Sequence, residues 1–325
     1  MRALRHSLPL PAVAITVVLA LCSCAPGPDV PASPGASHSS EAVAVLTASR
    51  WRELAPLPVA AVNAAFAATE DGVYAAGGIV NGVPSNAAWR YDRASDKWTE
   101  LPPMPTARQY AAAVVGPDKR LYVIGGSDMD TLHVPVMEVY DPHEDAWISS
   151  VEAYSSWAPG AAVDGDGIVV AGDAHVQRYD IADGSWAEVG NYVEDILGVI
   201  NLVEHPSKRI VLYGAGHFRW LDEAVRDSGI LVKSPERRDF AGLAAGPDGR
   251  FYEIGGQPLG GGEAIASVHA FDPSTAEWGS APRLPEPLGF VRASTLGESI
   301  LVLGPSVDES VTKLYELPFV SEPGS

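Results

Sequence analysis

Residues 108–147 read RQYAAAVVGPDKRLYVIGGSDMDTLHVPVMEVYDPHEDAW, and the order of residue types in this stretch decides the fold. Small and apolar residues lead into an aliphatic run that stops at Gly125-Gly126, a polar loop follows, and a second apolar run ends at Tyr140-Asp141. Trp147 comes six residues after that Asp. Short runs rich in β-branched and aromatic residues, bounded by Gly, Asp and Pro, are strands joined by tight turns. The stretch therefore predicts a four-stranded meander.

The pattern recurs along the chain, and a repeat of this length signals a stacked architecture. The last glycine of each aliphatic run falls at Gly78, Gly126, Gly172, Gly214, Gly256 and Gly304, at successive spacings of 48, 46, 42, 42 and 48. A tighter register runs from Asp92 to Trp98, Asp141 to Trp147, Asp180 to Trp186 and Asp272 to Trp278, six residues in each case. The segments DRASDKW, DPHEDAW, DIADGSW and DPSTAEW open with Asp, which favours a tight turn, and end on the aromatic that starts the next strand. A four-stranded unit this small cannot bury both of its faces alone, so six units are expected to stack around an axis.

Gly-Gly after an aliphatic strand, then a separated Tyr and Trp, resembles the kelch family. Gly77-Gly78, Gly125-Gly126 and Gly255-Gly256 match in full, whereas Ala171-Gly172 and Leu303-Gly304 keep one glycine. Unit four reads Tyr213-Gly214, lacks a Trp six residues after Asp222 and is the degenerate copy. The resemblance covers about residues 51–318 and implies an all-β, six-bladed propeller of four-stranded blades. Trp51 to Pro58, WRELAPLP, looks like a fourth strand with no first three before it, and the last unit supplies three strands without a fourth. The N-terminal strand is therefore expected to complete the last blade, with Trp51 as its missing tryptophan.

Ahead of the repeats, MRALRHSLPLPAVAITVVLALCSC sets Arg2 and Arg5 before a short apolar run, the anatomy of a secretory signal. Leu21-Cys22-Ser23-Cys24 resembles the bacterial lipobox, with Cys24 as the acylated residue; the alternative is an ordinary secreted protein with two incidental cysteines. The expected organisation is a signal over 1–23, lipidated Cys24 and a Pro/Ser/Ala/Gly-rich spacer over 24–50, the propeller over 51–320 and a tail over 321–325. Within the spacer, EAVAVLT could instead pair as an edge strand. The resulting protein would be exported and anchored by lipid to the outer face of the cell membrane, and a monomer is expected. Both cysteines of the chain lie in this leader, so no internal disulfide can form in the propeller. The formal charge of −19 becomes −21 once Arg2 and Arg5 are removed, which excludes nucleic acid as a partner.

Candidate binding residues come from the segments that lead into the innermost strands: Asn63, Arg108, Tyr110, Trp157, Arg238, Phe240, Phe290 and Arg292. Arg108 and Arg238 each stand 18 residues before their glycine mark. Two readings stay open: a local positive site for a carboxylate, sulfate or phosphorylated ligand, or salt bridges that stitch blades together. From the glycine mark to the following Asp is 14, 15 and 16 residues in units one, two and five but eight in units three and four, which predicts a notch in one face. His175 and His217, each three residues past their glycine, should flank it. Two histidines do not make a metal site, and neither VDGDGI nor SDMDTLH has calcium-loop spacing, so no metal or cofactor is expected.

The sequence carries no phosphate loop, dinucleotide fingerprint or nucleophile turn. The favoured reading is a binding module of the bacterial envelope that recognises a protein, glycan or small ligand on its loop face. The alternative implied by the resemblance is a sugar-acid mutarotase with an anion site at the channel mouth, but no carboxylate stands out as its acid–base partner, since Glu70, Glu194 and Glu253 read equally well as turn or surface residues. A copper radical oxidase, also within the resemblance, requires a cysteine that the propeller lacks.

Overall fold

The computed structural model describes residues 46–70, 72–153, 156–192, 199–207, 209–221 and 227–321. Residues 1–45, which hold the expected signal, Cys24 and most of the expected spacer, and residues 322–325 lie outside them. The described residues form a six-bladed β-propeller without helices. The innermost strands of blades 1 to 6 are Ala65–Thr69, Ala112–Val115, Gly160–Asp164, Asn201–Glu204, Gly242–Ala245 and Arg292–Leu296. Each packs against its two neighbours, and that of blade 6 meets that of blade 1. Every blade is an antiparallel meander, as in blade 2, where Ala112–Val115, Leu121–Ile124, Val136–Asp141 and Ala146–Glu152 pair in order.

The core is divided by blade interface. Successive residues of a strand point to opposite faces, so Ala65 and Ala67 pack with Val115, Leu121 and Val123 of blade 2, while Phe66 and Ala68 pack with Leu296, Leu301 and Leu303 of blade 6. Blade 4 repeats the division: Ile210 and Leu212 face blade 3, Val211 and Tyr213 face blade 5. Each of the six interfaces holds one such cluster.

The sequence motifs have separate mechanical jobs. In Gly125-Gly126 both residues are left-handed, at φ 63° and 92°. A Cβ on Gly126 would sit 2.4 Å from the Gln109 carbonyl of its own blade, and one on Gly125 would sit 3.0 Å from the Ser156 carbonyl of the next. The pair thus lets one turn press against two backbones, which only glycine permits. In the Asp-to-Trp turns, Asp92, Asp141, Asp180 and Asp272 each accept a hydrogen bond from the backbone N–H two residues on, at 2.8 Å. In blades 1 and 2 the Trp then links blades: Trp98 Nε1 donates to the Ala55 carbonyl at 2.9 Å and Trp147 Nε1 to the Pro102 carbonyl at 2.8 Å, whereas Trp186 and Trp278 Nε1 are buried without a partner among the described residues.

Arg52–Leu54 pairs antiparallel with the long third strand of blade 6, Thr312–Ser321, and closes the ring as expected. Trp51 Nε1 donates to the Pro282 carbonyl at 2.7 Å, the same bond that Trp98 and Trp147 make, so it is the tryptophan of blade 6. One boundary shifts. Leu46–Ala48, expected within the spacer or as its alternative edge strand, pairs with Phe319, Val320 and Ser321, so the last blade's outer edge has two short segments.

Glu316 fastens the closure. Its buried carboxylate receives Arg52 from the N-terminal strand and Arg93 from the turn of blade 1. Burial pushes its pKa up, but the hydrogen bonds from Arg52 and Ser299 and the charges of Arg93 and Arg52 outweigh that and hold it below the ordinary 4.5. A carboxyl with a depressed folded pKa contributes stability above its unfolded value and loses it as pH falls through the folded one. Between about pH 5 and pH 2 the melting temperature of the native chain should therefore fall more steeply than that of Glu316→Gln. Parallel slopes in a calorimetric pH series would rule this role out.

Candidate functional site

In these meanders the loops between second and third strands share one face with the segments leading into the innermost strands. Short pairings tie the two together: Val62 with Ile79, Gln109 with Ser127, and Arg238–Asp239 with Gln257–Pro258. Blades 3 and 4 have only two-residue hairpins here, Asp173-Ala174 and Ala215-Gly216, with φ positive at all four residues, the type I′ geometry. The notch anticipated from the spacing is thus built by two tight hairpins beside the longer loops of blades 1, 2 and 5.

Six of the expected residues do gather at the axis. Asn63, Tyr110, Phe240 and Phe290 occupy equivalent places, each two residues before its inner strand, and each is left-handed, with φ of 58°, 59°, 57° and 49°. Three aromatic side chains in that region of backbone space are unusual. The conformation swings them over the channel: Tyr110 of blade 2 meets Phe240 of the opposite blade 5, with ring centroids 6.4 Å apart. Trp157 stands 5.3 Å from Tyr110 and Phe290 4.5 Å from Phe240, so a chain of four rings from four blades crosses the axis. Burial raises the Tyr110 pKa, against the opposing effects of the Asn63 hydrogen bond and the Arg292 charge.

Below this plug lies the channel. Its upper chamber, lined by Ala112, Gly160, Asn201, Leu243 and Arg292, measures about 60 Å³. The lower part, walled by Val115, Val163 and Ala244, widens to about 250 Å³ and is lined there by Thr69, Glu204 and Thr295. Arg292 lines the upper chamber with its Nη2 shut off from solvent and without a hydrogen-bond partner among the described residues.

Arg108 and Arg238 do not join this site, which corrects the anion-site reading for both. Both side chains are wholly buried. Arg108 Nη1 donates to the Gly125 and Val136 carbonyls at 3.1 and 3.0 Å, and its Nη2 stands 2.9 Å from the buried Glu138 carboxylate. Arg238 repeats the arrangement on the Gly255 and Ser267 carbonyls, both at 3.0 Å, and pairs with Glu236 at 2.7 Å. These guanidiniums brace the Gly-Gly turns. The stitching reading is the one the geometry supports.

The acid–base candidates are likewise dispersed. Glu253 is buried and accepts hydrogen bonds from Tyr213 at 2.6 Å and Ser234 at 2.5 Å. Glu70 sits in the turn after the first strand of blade 1, on the opposite face, and Glu194 lies outside the described residues. His175 and His217 do hold equivalent places, pairing with Gly172 and Gly214, but in different surroundings. His217 is buried, whereas His175 is half exposed beside Glu188 at 3.4 Å. Among the described residues no three His, Cys, Asp or Glu side chains cluster as a metal site would require.

One feature of this face was not anticipated. Of the seven exposed large hydrophobic residues among those described, five sit on its loops: Val83, Met129, Leu132, Leu259 and Val307. Met129 and Leu132 are 72% and 77% exposed at the tip of the blade 2 loop. The signal was present in SDMDTLH, where two apolar residues stand among acids with no strand period to place them in a core.

Fold and repeat together are those of a kelch-repeat β-propeller. The kelch motif matches residues 60–105 and 110–150, the first two blades. An F-box/kelch-repeat protein of Arabidopsis thaliana is 30% identical over 171 residues, 48% of this chain and 42% of that protein. Kelch-like protein terF of Aspergillus terreus is 25% identical over 250 residues, 74% of this chain and 49% of that protein. The aligned region thus spans under half the length of these curated relatives. Among solved structures, YjhT superposes with a TM-score of 0.65 at 15% identity, covering 83% of this chain and 99% of its own. A fungal alcohol oxidase in complex with copper gives 0.55 at 18% identity, covering 79% of this chain and 62% of its own. Both likenesses are of fold. A copper radical centre does not fit this propeller, because the only cysteines of the chain are Cys22 and Cys24.

If Arg108 is a brace rather than a ligand contact, Arg108→Met strands the Glu138 carboxylate in the core and should cost about 3–5 kcal/mol. Denaturant unfolding checks this. A loss under about 1 kcal/mol would return Arg108 to the binding candidates.

Proposed function

We propose that this propeller is an interaction module of the bacterial envelope that captures a partner protein on its loop face. The observation that carries the reading is the grouping of exposed apolar tips on four blades of one face around a half-exposed aromatic plug. Exposed apolar residues collected on one surface mark interaction sites, and loops on a rigid scaffold are where such sites are built. Kelch propellers commonly serve as protein-interaction modules, which agrees. The mutarotase reading loses support from the geometry, since two of its arginines are spent on internal braces and Glu253 is bound within the core.

The module's place follows from the leader. A lipid on Cys24, with the spacer that follows, would hold the propeller at the outer face of the membrane and present the loops outward. The support is the sequence of residues 1–50.

Met129→Ser combined with Leu132→Ser should reduce capture of the envelope partner at least tenfold in cross-linking pull-downs while leaving the melting temperature within about 1 °C, because both side chains are exposed. Ile148→Ser, exposed on an outer strand away from this face, should leave capture intact. Equal capture by all three would remove the loop face from consideration. For the anchor, Cys24→Ala should abolish incorporation of labelled palmitate and release the protein from the membrane fraction. Labelling that survives this change would refute lipidation at Cys24.

A further inference from the structure

We infer that the upper chamber of the channel is a binding site for one small monovalent anion, of the size of chloride or formate, held by Arg292. The two wholly buried arginines of the lead-in segments are answered. Arg108 meets Glu138, and Arg238 meets Glu236 and Glu253. Arg292 has no ion pair and no hydrogen bond among the described residues, and its Nη2 is shut off from water. Arg292 as a residue is only partly buried, but a guanidinium nitrogen withdrawn from water without a partner is costly and is normally matched by a counter-charge.

Burial lowers its pKa to about 10, with only Tyr110 opposing the shift, so the guanidinium keeps its charge at neutral pH. The walls around it offer no neutralising acid: Ala112, Gly160, Leu243 and Ala293 are apolar or small, and Asn201 is the remaining polar lining side chain. The Asn201 amide donates to the Ala241 carbonyl at 3.4 Å. An anion here would be contacted by the guanidinium as a donor in a place of low dielectric, where such a contact is strong.

Size sets the class. About 60 Å³ accepts a few waters or one small ion, and the four-ring plug above it leaves no room for a sugar acid or a phosphorylated ligand. The lower channel, at about 250 Å³, is the way in for an ion, and the Glu204 carboxylate in its lining disfavours multivalent anions more than monovalent ones. The site is independent of which partner docks on the loop face. It is a structural anion position that neutralises the ring's axis.

The test compares the full chain in potassium chloride and in potassium gluconate at equal ionic strength, gluconate being too large for the chamber. The native chain should melt about 5 °C higher in chloride, with a saturable dependence, and bromide and formate should substitute for it. Arg292→Met should lose this response, while Arg209→Met, which removes a surface cation stacked on Trp220, should keep it. Crystals grown in bromide give a second measurement that does not depend on the variant folding: an anomalous peak is expected within hydrogen-bonding distance of the Arg292 guanidinium. No bromide peak there, or an equal chloride response in Arg292→Met, would overturn the assignment.

Discussion

The whole structure rests on one constraint: every blade is apolar on both faces. Because side chains alternate along a strand, Phe66 and Ala65 are neighbours in sequence yet belong to different cores, one shared with blade 6 and the other with blade 2. No blade can complete its burial alone, and each must be covered twice. An open row of six would leave an end face exposed on both the first and the last unit. Closure removes both faces, and that is why a strand from the N-terminus is recruited to the last blade and pinned there by Trp51 and the Glu316 ion pairs.

A ring held this way needs its blades to approach closely near the axis. The Gly-Gly turn supplies that approach, since backbone from two blades presses on it where a Cβ would stand. Such turns leave carbonyls beneath them, and Arg108 and Arg238 answer these from inside the core. Their register with the glycines, which looked like a recurring ligand contact, is a mechanical register. Arginine suits the role because its planar fork reaches two carbonyls and a carboxylate at once.

The loop face then receives what the scaffold leaves over. Four lead-in residues with positive φ turn their side chains inward, and three of them, joined by Trp157, plug the channel with aromatic rings. The plug separates two environments. Outside it are apolar loop tips suited to a large partner, and inside it is a narrow apolar chamber with a single unanswered guanidinium.

The sequence by itself determined the number of blades, their strand order, the tight hairpins of blades 3 and 4 and the closing role of Trp51. These follow from short-range chemistry: turn residues, glycine positions and the alternation of apolar side chains, all of which act within a few residues. It also named the residues at the channel mouth. Only the tertiary structure decided which of the three arginines named at the channel mouth are spent on internal ion pairs, because Glu138 lies 30 residues from Arg108 and reaches it only through the pairing of the blade 2 strands. The partner of the Leu46–Ala48 edge strand at the end of the last strand, and the contact of Tyr110 with Phe240 across the axis, were equally invisible. Both join residues far apart in the chain, and such contacts exist only once the ring has closed.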